Sequence, residues 1–266
     1  MFEELTVSAE VIFATFVPLY LGIFAPIILV GKSSYRLVVL MAVASGVIFW
    51  SFLDLMDDAA LLGVNEGFSG GLTHILVAAI FAVTFFVFLW LDKRFQPRRR
   101  GRTPVVVLTY ATALLVAIGI GWHSLGEGLE IGSLIGYSFL VTLTSVNLIN
   151  SIGGLGSGSA YILHKFLEGL VIGVFATAAK ANPIRNVLLG LLAGIPTVVG
   201  LGLALVVPID ATIFFGIGAA AAVFIEYKLI PNIVSQRSTM LFILAWLVGF
   251  YLMYFAALFH SYTTIF

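Results

Sequence analysis

Eight long runs of apolar residues, separated by short polar breaks, make up most of the chain. Each run is close to the ~20 residues that an α-helix needs to cross the hydrocarbon core of a bilayer. The pattern therefore predicts an all-α, polytopic membrane protein with eight transmembrane helices in a single domain, residues 1–266. The predicted spans are residues 9–31, 35–56, 72–91, 104–126, 158–179, 184–207, 211–231 and 239–260.

The stretch between the fourth and fifth spans, residues 127–157, is less regular. Its apolar residues would allow the fourth helix to continue, but residues 147–159 are rich in Gly, Ser and Asn. Because such clusters mark loops and helix breaks, we expect a re-entrant segment or a loop insertion over residues 140–157.

Composition restricts the class of protein further. Of the 266 residues, 61% are hydrophobic and 10% are charged, and the mean hydropathy is +1.14. Soluble domains average about 45–50% apolar and about 25% charged residues, so a water-soluble globular enzyme is excluded, as is a disordered chain. The Cys count of 0 excludes disulfides and thiolate metal ligands.

Basic residues are distributed unevenly between the predicted loops. Of the 13 Lys and Arg residues, 11 lie in alternate loops, six of them in the loop 93–103. The loops on the other side contain Asp57, Asp58, Glu66 and Asp210 but neither Lys nor Arg. Because positively charged loops stay in the cytoplasm, this predicts an integral protein of the inner or plasma membrane with both termini outside. The basic loop suits contact with anionic lipid head groups, and nucleic-acid binding is not expected.

Two copies of the pattern H-x-x-x-E-G-L lie at the end of span four and within span five, as His123/Glu127 and His164/Glu168. A spacing of four residues puts His and Glu on one face of a helix, one turn apart. If the two helices face each other, two imidazoles and two carboxylates converge on one point. This ligand set suits a borderline divalent ion such as Zn²⁺, Fe²⁺ or Mn²⁺.

Other interpretations of the same residues stay open at this stage. Each His can satisfy a buried polar contact while each Glu pairs with a lysine. An intramembrane hydrolase would use a Glu as base beside a His-bound zinc, although the motif H-E-x-x-H is not found. A membrane haem protein would use His123 and His164 as axial ligands. The paired Glu residues favour a divalent ion over these two enzyme-like alternatives.

Both motifs resemble the signature of the ZIP (Zrt/Irt-like) family of divalent metal transporters, H-N-x-P-(D/E)-G-x in span four and H-(E/D)-x-P-x-E in span five. Here they read HSLGEGL and HKFLEGL. Similar segments are SGVIFWSFLDLMDDA in span two, LLAGIPTVVG in span six and AAAVFIEYKLIPN in span seven, so the resemblance covers nearly the whole chain. It implies a ZIP-like bundle and passage of a divalent metal ion toward the cytoplasm.

The resemblance also implies which residues bind the metal. The positions that correspond to the first family metal site all carry ligands: His123, Glu127, His164 and Glu168. Many family members hold a second ion, but the corresponding positions here are Ser124, Lys165 and Ile195. Because neither a protonated ammonium nor an alkyl group can ligate a metal, we expect a single His₂Glu₂ site. Lys165 would then supply the positive charge of the second ion.

Other polar residues within the spans are candidates for the ion pathway or for support of the ligands. Asp54 lies near the outer end of span two, and Glu130 shares a helix face with the motif of span four. Ser124 and Lys165 directly follow the two histidines. Lys165 can alternatively form a structural pair with Glu130 or Glu168.

The sequence thus predicts a transporter, not an enzyme, whose substrate is a divalent metal ion: zinc foremost, with iron, manganese or cadmium as alternatives. The alternative function is an intramembrane metal-binding sensor or metalloenzyme without transport. Expected partners are the metal ions and membrane lipids. The resemblance also implies a homodimer, since members of the ZIP family often form dimers. Glu226 and Lys228 are two residues apart and should point to different faces of span seven; the sequence assigns no role to either.

Overall fold

The computed structural model describes residues 2–31, 33–60, 72–95, 108–142, 155–207, 209–235 and 239–260. Within these ranges the regular secondary structure is α-helical, and eight helices follow the order of the eight predicted spans. They are α1 (Phe2–Val30), α2 (Ser34–Ala60), α3 (Leu72–Phe95), α4 (Tyr110–Thr142), α5 (Leu155–Ala178), α6 (Pro183–Ala204), α7 (Thr212–Val234) and α8 (Thr239–His260).

Seven of these helices, all except α4, are long and apolar enough to cross a membrane. The apolar sequence of α4 is interrupted by His123, Glu127 and Glu130. Most of its residues from 112 to 132 are buried, which suits a helix that carries polar groups inside a bundle. The prediction of an all-helical protein of the membrane type is confirmed at this level.

Two helix boundaries differ clearly from the prediction, and others differ by a few residues; α2, for example, continues to Ala60 and α3 to Phe95. The fourth helix does not end near residue 126 but continues to Thr142, because the intervening residues contain glycines but no proline to interrupt the backbone hydrogen bonds. The first helix begins at Phe2 instead of residue 9. Most of the predicted re-entrant or loop segment, residues 143–154, lies outside the described residues, and α5 begins directly after it.

The most extensive helix contacts join α4 with α6, α1 with α5, and α2 with both α7 and α8. Glycines lie where these helices come closest. A Cβ atom at Gly22 of α1 would collide with the carbonyl oxygen of Phe166 on α5, and one at Gly169 would collide with that of Leu19. Small residues at such points allow the backbones to pack directly against each other, and this holds α5 in place against α1.

Gly22→Ala should therefore lower the Tm of the detergent-solubilised protein by roughly 5 °C, because overpacking a tight contact costs about 1–3 kcal/mol. The matched control is Gly202→Ala on α6, where an added Cβ meets no atom within 4 Å. Since Ala is a better helix former than Gly by about 0.8–1 kcal/mol, the control should keep or raise the Tm. Equal losses in both variants, measured by thermal unfolding, would contradict the packing argument.

Candidate metal centre

The two His/Glu motifs lie well inside α4 and α5. At a rise of about 1.5 Å per residue, His164 is about 14 Å from the start of α5 and about 21 Å from its end. Within each motif the two side chains project from the same helix face. The four side chains meet between α4 and α5 and form one buried group: His123, Glu127, His164 and Glu168. The predicted convergence of the two motifs is therefore present in the fold.

The ligand atoms of the four side chains face one another at short distances. The Nε2 atoms of His123 and His164 are 3.5 Å apart. His123 Nε2 lies 3.5 Å from Glu127 Oε1 and 3.2 Å from Glu168 Oε1. The corresponding distances from His164 Nε2 are 3.3 Å and 3.2 Å. One ligand atom of each residue lies within 4.8 Å of every other, so the group is compact in all directions.

These distances suit a four-coordinate divalent ion. Zinc binds His nitrogen and carboxylate oxygen at about 2.0–2.2 Å in tetrahedral sites, which separates neighbouring ligand atoms by about 3.3–3.6 Å. The five nitrogen–nitrogen and nitrogen–oxygen separations in the group, 3.2–3.5 Å, are close to this range. In addition, Glu127 Oε1 is buried and accepts no hydrogen bond within the described part of the chain, as expected for an oxygen directed at a cation.

The second oxygen of each carboxylate contacts Lys165. Its Nζ donates hydrogen bonds to Glu168 Oε2 at 2.8 Å, to Glu127 Oε2, and to Ser124 Oγ at 3.0 Å. The lysine is 1% exposed, and its ammonium lies 5.6 Å from the centre of the Tyr161 ring. Each carboxylate thus directs Oε1 toward the histidines and Oε2 toward the ammonium.

This arrangement has an electrostatic reason. Two carboxylates buried side by side repel each other, and each loses its hydration. An ammonium between them offsets both costs and fixes the orientation of the two groups. The sequence suggested Glu130 or Glu168 as the partner of Lys165. The structure pairs Lys165 with Glu168 and also with Glu127, and no ion pair with Glu130 is found in the described ranges.

Two of the three residues at the positions of the second family metal site, Ser124 and Lys165, lie beside the four candidate ligands. Ser124 lies beside the carboxylates and accepts a hydrogen bond from Lys165. Ile195, on α6, is 47% exposed. A hydroxyl and an ammonium therefore occupy the volume next to the His₂Glu₂ group, and the ammonium contributes one positive charge there.

Three further acids, Asp54 and Asp58 of α2 and Glu130 of α4, lie near the centre. Asp54 is close enough to interact electrostatically with both His123 and His164. Asp58 interacts in turn with Asp54, and Glu130 with Asp58. These three acidic side chains lie near one another and near the metal centre, and the pathway role of Asp54 and Glu130 stays a prediction.

A second buried ion pair was not predicted. Lys228 Nζ on α7 donates a hydrogen bond to Asp92 Oδ2 on α3 at 2.6 Å, and Asp92 Oδ1 accepts one from Thr112 Oγ1 on α4 at 3.1 Å. The sequence contained one signal for this pair, because a lysine inside a span requires an acidic partner. The partner was not recognised, since Asp92 directly follows predicted span three and so lies outside the predicted spans. Glu226 points away from this pair and accepts a hydrogen bond from Ser45 Oγ at 2.7 Å, so Glu226 and Lys228 do face different sides of α7.

No protein-family model and no curated protein matches the chain. The resemblance to the ZIP family therefore rests on the sequence motifs. The structure itself establishes a buried His₂Glu₂ group that could hold a metal ion within a helical bundle of the membrane type.

Proposed function

We propose that the protein is a transporter of the ZIP type that moves a divalent transition-metal ion, zinc foremost, toward the cytoplasm through one His₂Glu₂ site. The observation that carries this proposal is the convergence of two imidazole nitrogens and two carboxylate oxygens between two buried helices. Each nitrogen lies 3.2–3.5 Å from the other nitrogen and from both oxygens. Iron, manganese and cadmium are alternative substrates because they share this ligand chemistry.

The ligand types suit an ion that has to leave again. Imidazole and carboxylate exchange more readily than thiolate, and the chain has a Cys count of 0. The ammonium of Lys165 adds to this effect, because it repels a divalent ion bound on the other side of the same carboxylates. A loaded site of two carboxylates, one ammonium and one divalent ion carries a net positive charge, which favours release.

The number of ligands favours transport over hydrolysis. Catalytic zinc sites use three protein ligands and keep the fourth position for water. Here four side chains direct ligand atoms at one point, so a bound ion would have no position for a reactive water. This distinguishes the proposal from the hydrolase alternative, whereas a sensor would share the same coordination.

Passage of an ion requires a change of conformation. A cavity of about 20 Å³ adjoins His123 and Glu168 and extends along Gly119, Ile120 and Ile225 toward the predicted cytoplasmic ends of α4 and α7. This volume holds about one water molecule, and the residues of its wall beyond the metal centre are mostly apolar. We expect the helices around the site to rock against each other, as in alternating-access transporters.

The direct test is uptake into liposomes that contain the purified protein and a metal-sensitive dye. Zn²⁺, Fe²⁺, Mn²⁺ and Cd²⁺ are added separately, and the wild type is compared with His164→Ala/Glu168→Ala. We expect saturable uptake by the wild type and at least a tenfold loss in the variant. His74→Ala, which removes an exposed histidine at the start of α3, is the matched control and should keep wild-type uptake.

Two outcomes would contradict the proposal in different ways. If the wild type binds one metal ion per chain but transports none of the four, the site belongs to a sensor. If uptake is unchanged in His164→Ala/Glu168→Ala, transport does not use this site.

A further inference from the structure

A second candidate site lies on another side of the bundle. A groove of about 560 Å³ is formed by α2, α7 and α8, which is within the ~300–1,000 Å³ typical of small-molecule sites. Residues on its wall are exposed at the outer surface of the bundle: Phe49 is 39%, Ile230 48% and Ile243 49% exposed. Because these helices suit a membrane, the groove opens toward the lipid.

One carboxylate belongs to this apolar groove. Glu226 is the formally charged side chain among its described lining residues, and Ser45 provides the hydroxyl. Glu226 Oε2 accepts the hydrogen bond of Ser45, whereas Oε1 has no hydrogen-bond partner in the described ranges. Within the described ranges, no Lys, Arg or His forms an ion pair with Glu226.

The position of this carboxylate, far from the end of its helix, makes its burial costly in free energy. Glu226 precedes the end of α7, Val234, by about 12 Å at the helical rise of about 1.5 Å per residue. In the predicted span, residues 211–231, this position is inside the hydrocarbon region, where an ionisable group is rare and marks a functional site. A cation delivered by a ligand would supply the charge that the described neighbours do not.

The composition of the groove limits which cation fits. A metal ion needs several oxygen or nitrogen ligands, and the groove offers one carboxylate and one hydroxyl. Its walls instead carry aromatic rings, from Phe49, Phe52, Phe242 and Trp246. The rings of Phe49 and Trp246 have their centroids 5.3 Å apart. Aromatic faces and a carboxylate together attract an organic cation, and the aliphatic walls accommodate its apolar substituents.

We propose that this groove binds a hydrophobic organic monocation, such as a lipophilic ammonium or phosphonium ion, that enters from the lipid. Glu226 is the counter-ion, and the aromatic residues surround the charged centre. The site is separate from the metal centre, so the proposal stands or falls independently of metal transport.

The test uses tetraphenylphosphonium and its isosteric anion tetraphenylborate. Binding of radiolabelled tetraphenylphosphonium is measured on the whole chain in lipid nanodiscs, with empty nanodiscs as the baseline. We expect saturable binding of one cation per chain, at least a tenfold lower affinity in Glu226→Gln and a several-fold lower affinity in Trp246→Leu. Tetraphenylborate should not compete, because it has the same shape and the opposite charge.

Controls separate a lost site from a lost fold. Glu10→Gln removes an exposed carboxylate of α1 and should bind tetraphenylphosphonium as the wild type does. Glu226→Gln should retain wild-type Zn²⁺ binding at the metal centre, which shows that it folds. If Glu226→Gln does not fold, two other measurements take its place. They are a reduced affinity of Ser45→Ala for tetraphenylphosphonium and the comparison with tetraphenylborate on the wild type.

Three results would overturn the proposal. The first is equal affinity in the wild type and in folded Glu226→Gln. The second is competition by tetraphenylborate as effective as by the unlabelled cation, which would indicate an apolar groove indifferent to charge. The third is an absence of saturable binding together with a dimer that Trp246→Leu dissociates, since a second copy of the chain would then cover the groove.

Discussion

The purified protein should bind one Zn²⁺ per chain, and His164→Ala/Glu168→Ala should weaken this binding at least about 100-fold. Loss of groups that only support metal ligands already lowers affinity by about 10–100-fold, and this variant removes two ligands. Its remaining ligand pair, His123 and Glu127, offers two of the four atoms that converge in the wild type. Titration in competition with a chelating dye measures both the number of ions and the affinity.

The matched control for this variant removes the same residue types elsewhere. His74→Ala/Glu10→Gln eliminates an exposed histidine and an exposed carboxylate on α3 and α1 and should bind Zn²⁺ as the wild type does. X-ray absorption at the zinc edge should show nitrogen and oxygen ligands at about 2.0–2.2 Å. Two tightly bound ions per chain, or unchanged affinity in the ligand variant, would refute a single site at these residues.

Lys165→Met should destabilise the metal-free protein strongly and should increase the stabilisation that Zn²⁺ provides. Glu127 and Glu168 would lose the ammonium that contacts both of them, and breaking a buried ion pair costs about 3–5 kcal/mol. A bound divalent ion supplies the missing positive charge. It also no longer experiences repulsion from the lysine, so its affinity should rise.

Thermal unfolding with and without saturating Zn²⁺ measures this effect as two Tm values for each variant. The control is Lys228→Met, which breaks the other buried lysine pair, with Asp92, away from the metal centre. Both variants should have a lower Tm than the wild type without metal. Addition of Zn²⁺ should raise the Tm of Lys165→Met by more than it raises that of the wild type, whereas the rise in Lys228→Met should not exceed the wild-type rise. If the rise is the same in all three proteins, Lys165 does not act on the bound ion.

Much of the fold was predictable because each membrane helix is encoded by a local property. A span requires about 20 apolar residues whatever its neighbours are, and the eight predicted spans correspond to eight helices. The end of α4 was less predictable. Residues 127–142 contain glycines and two serines that also suit a loop, and the choice between helix and loop depends on contacts that hydropathy does not describe.

The candidate site was predictable for a similar reason. A spacing of four residues places His and Glu on one helix face in any α-helix, so two copies of the motif provide two half-sites. The pairing of Lys165 with both glutamates was harder to foresee, since its partners include Glu127, 38 positions away. The pairing of Lys228 with Asp92 spans 136 positions, and periodicity contains no information about contacts at that range.

The class of protein, the number of helices and the four candidate ligands could be predicted from the sequence, because these follow from hydropathy and from helical periodicity. Only the packing of the helices brings the two imidazole nitrogens within 3.2–3.5 Å of each other and of both carboxylate oxygens, puts an ammonium behind both carboxylates, and directs Glu226 to an apolar groove. The physical reason is that these features depend on how helices from distant parts of the chain rotate and pack. Packing is determined by many side chains at once, including glycines such as Gly22 and Gly169 that let the backbones approach.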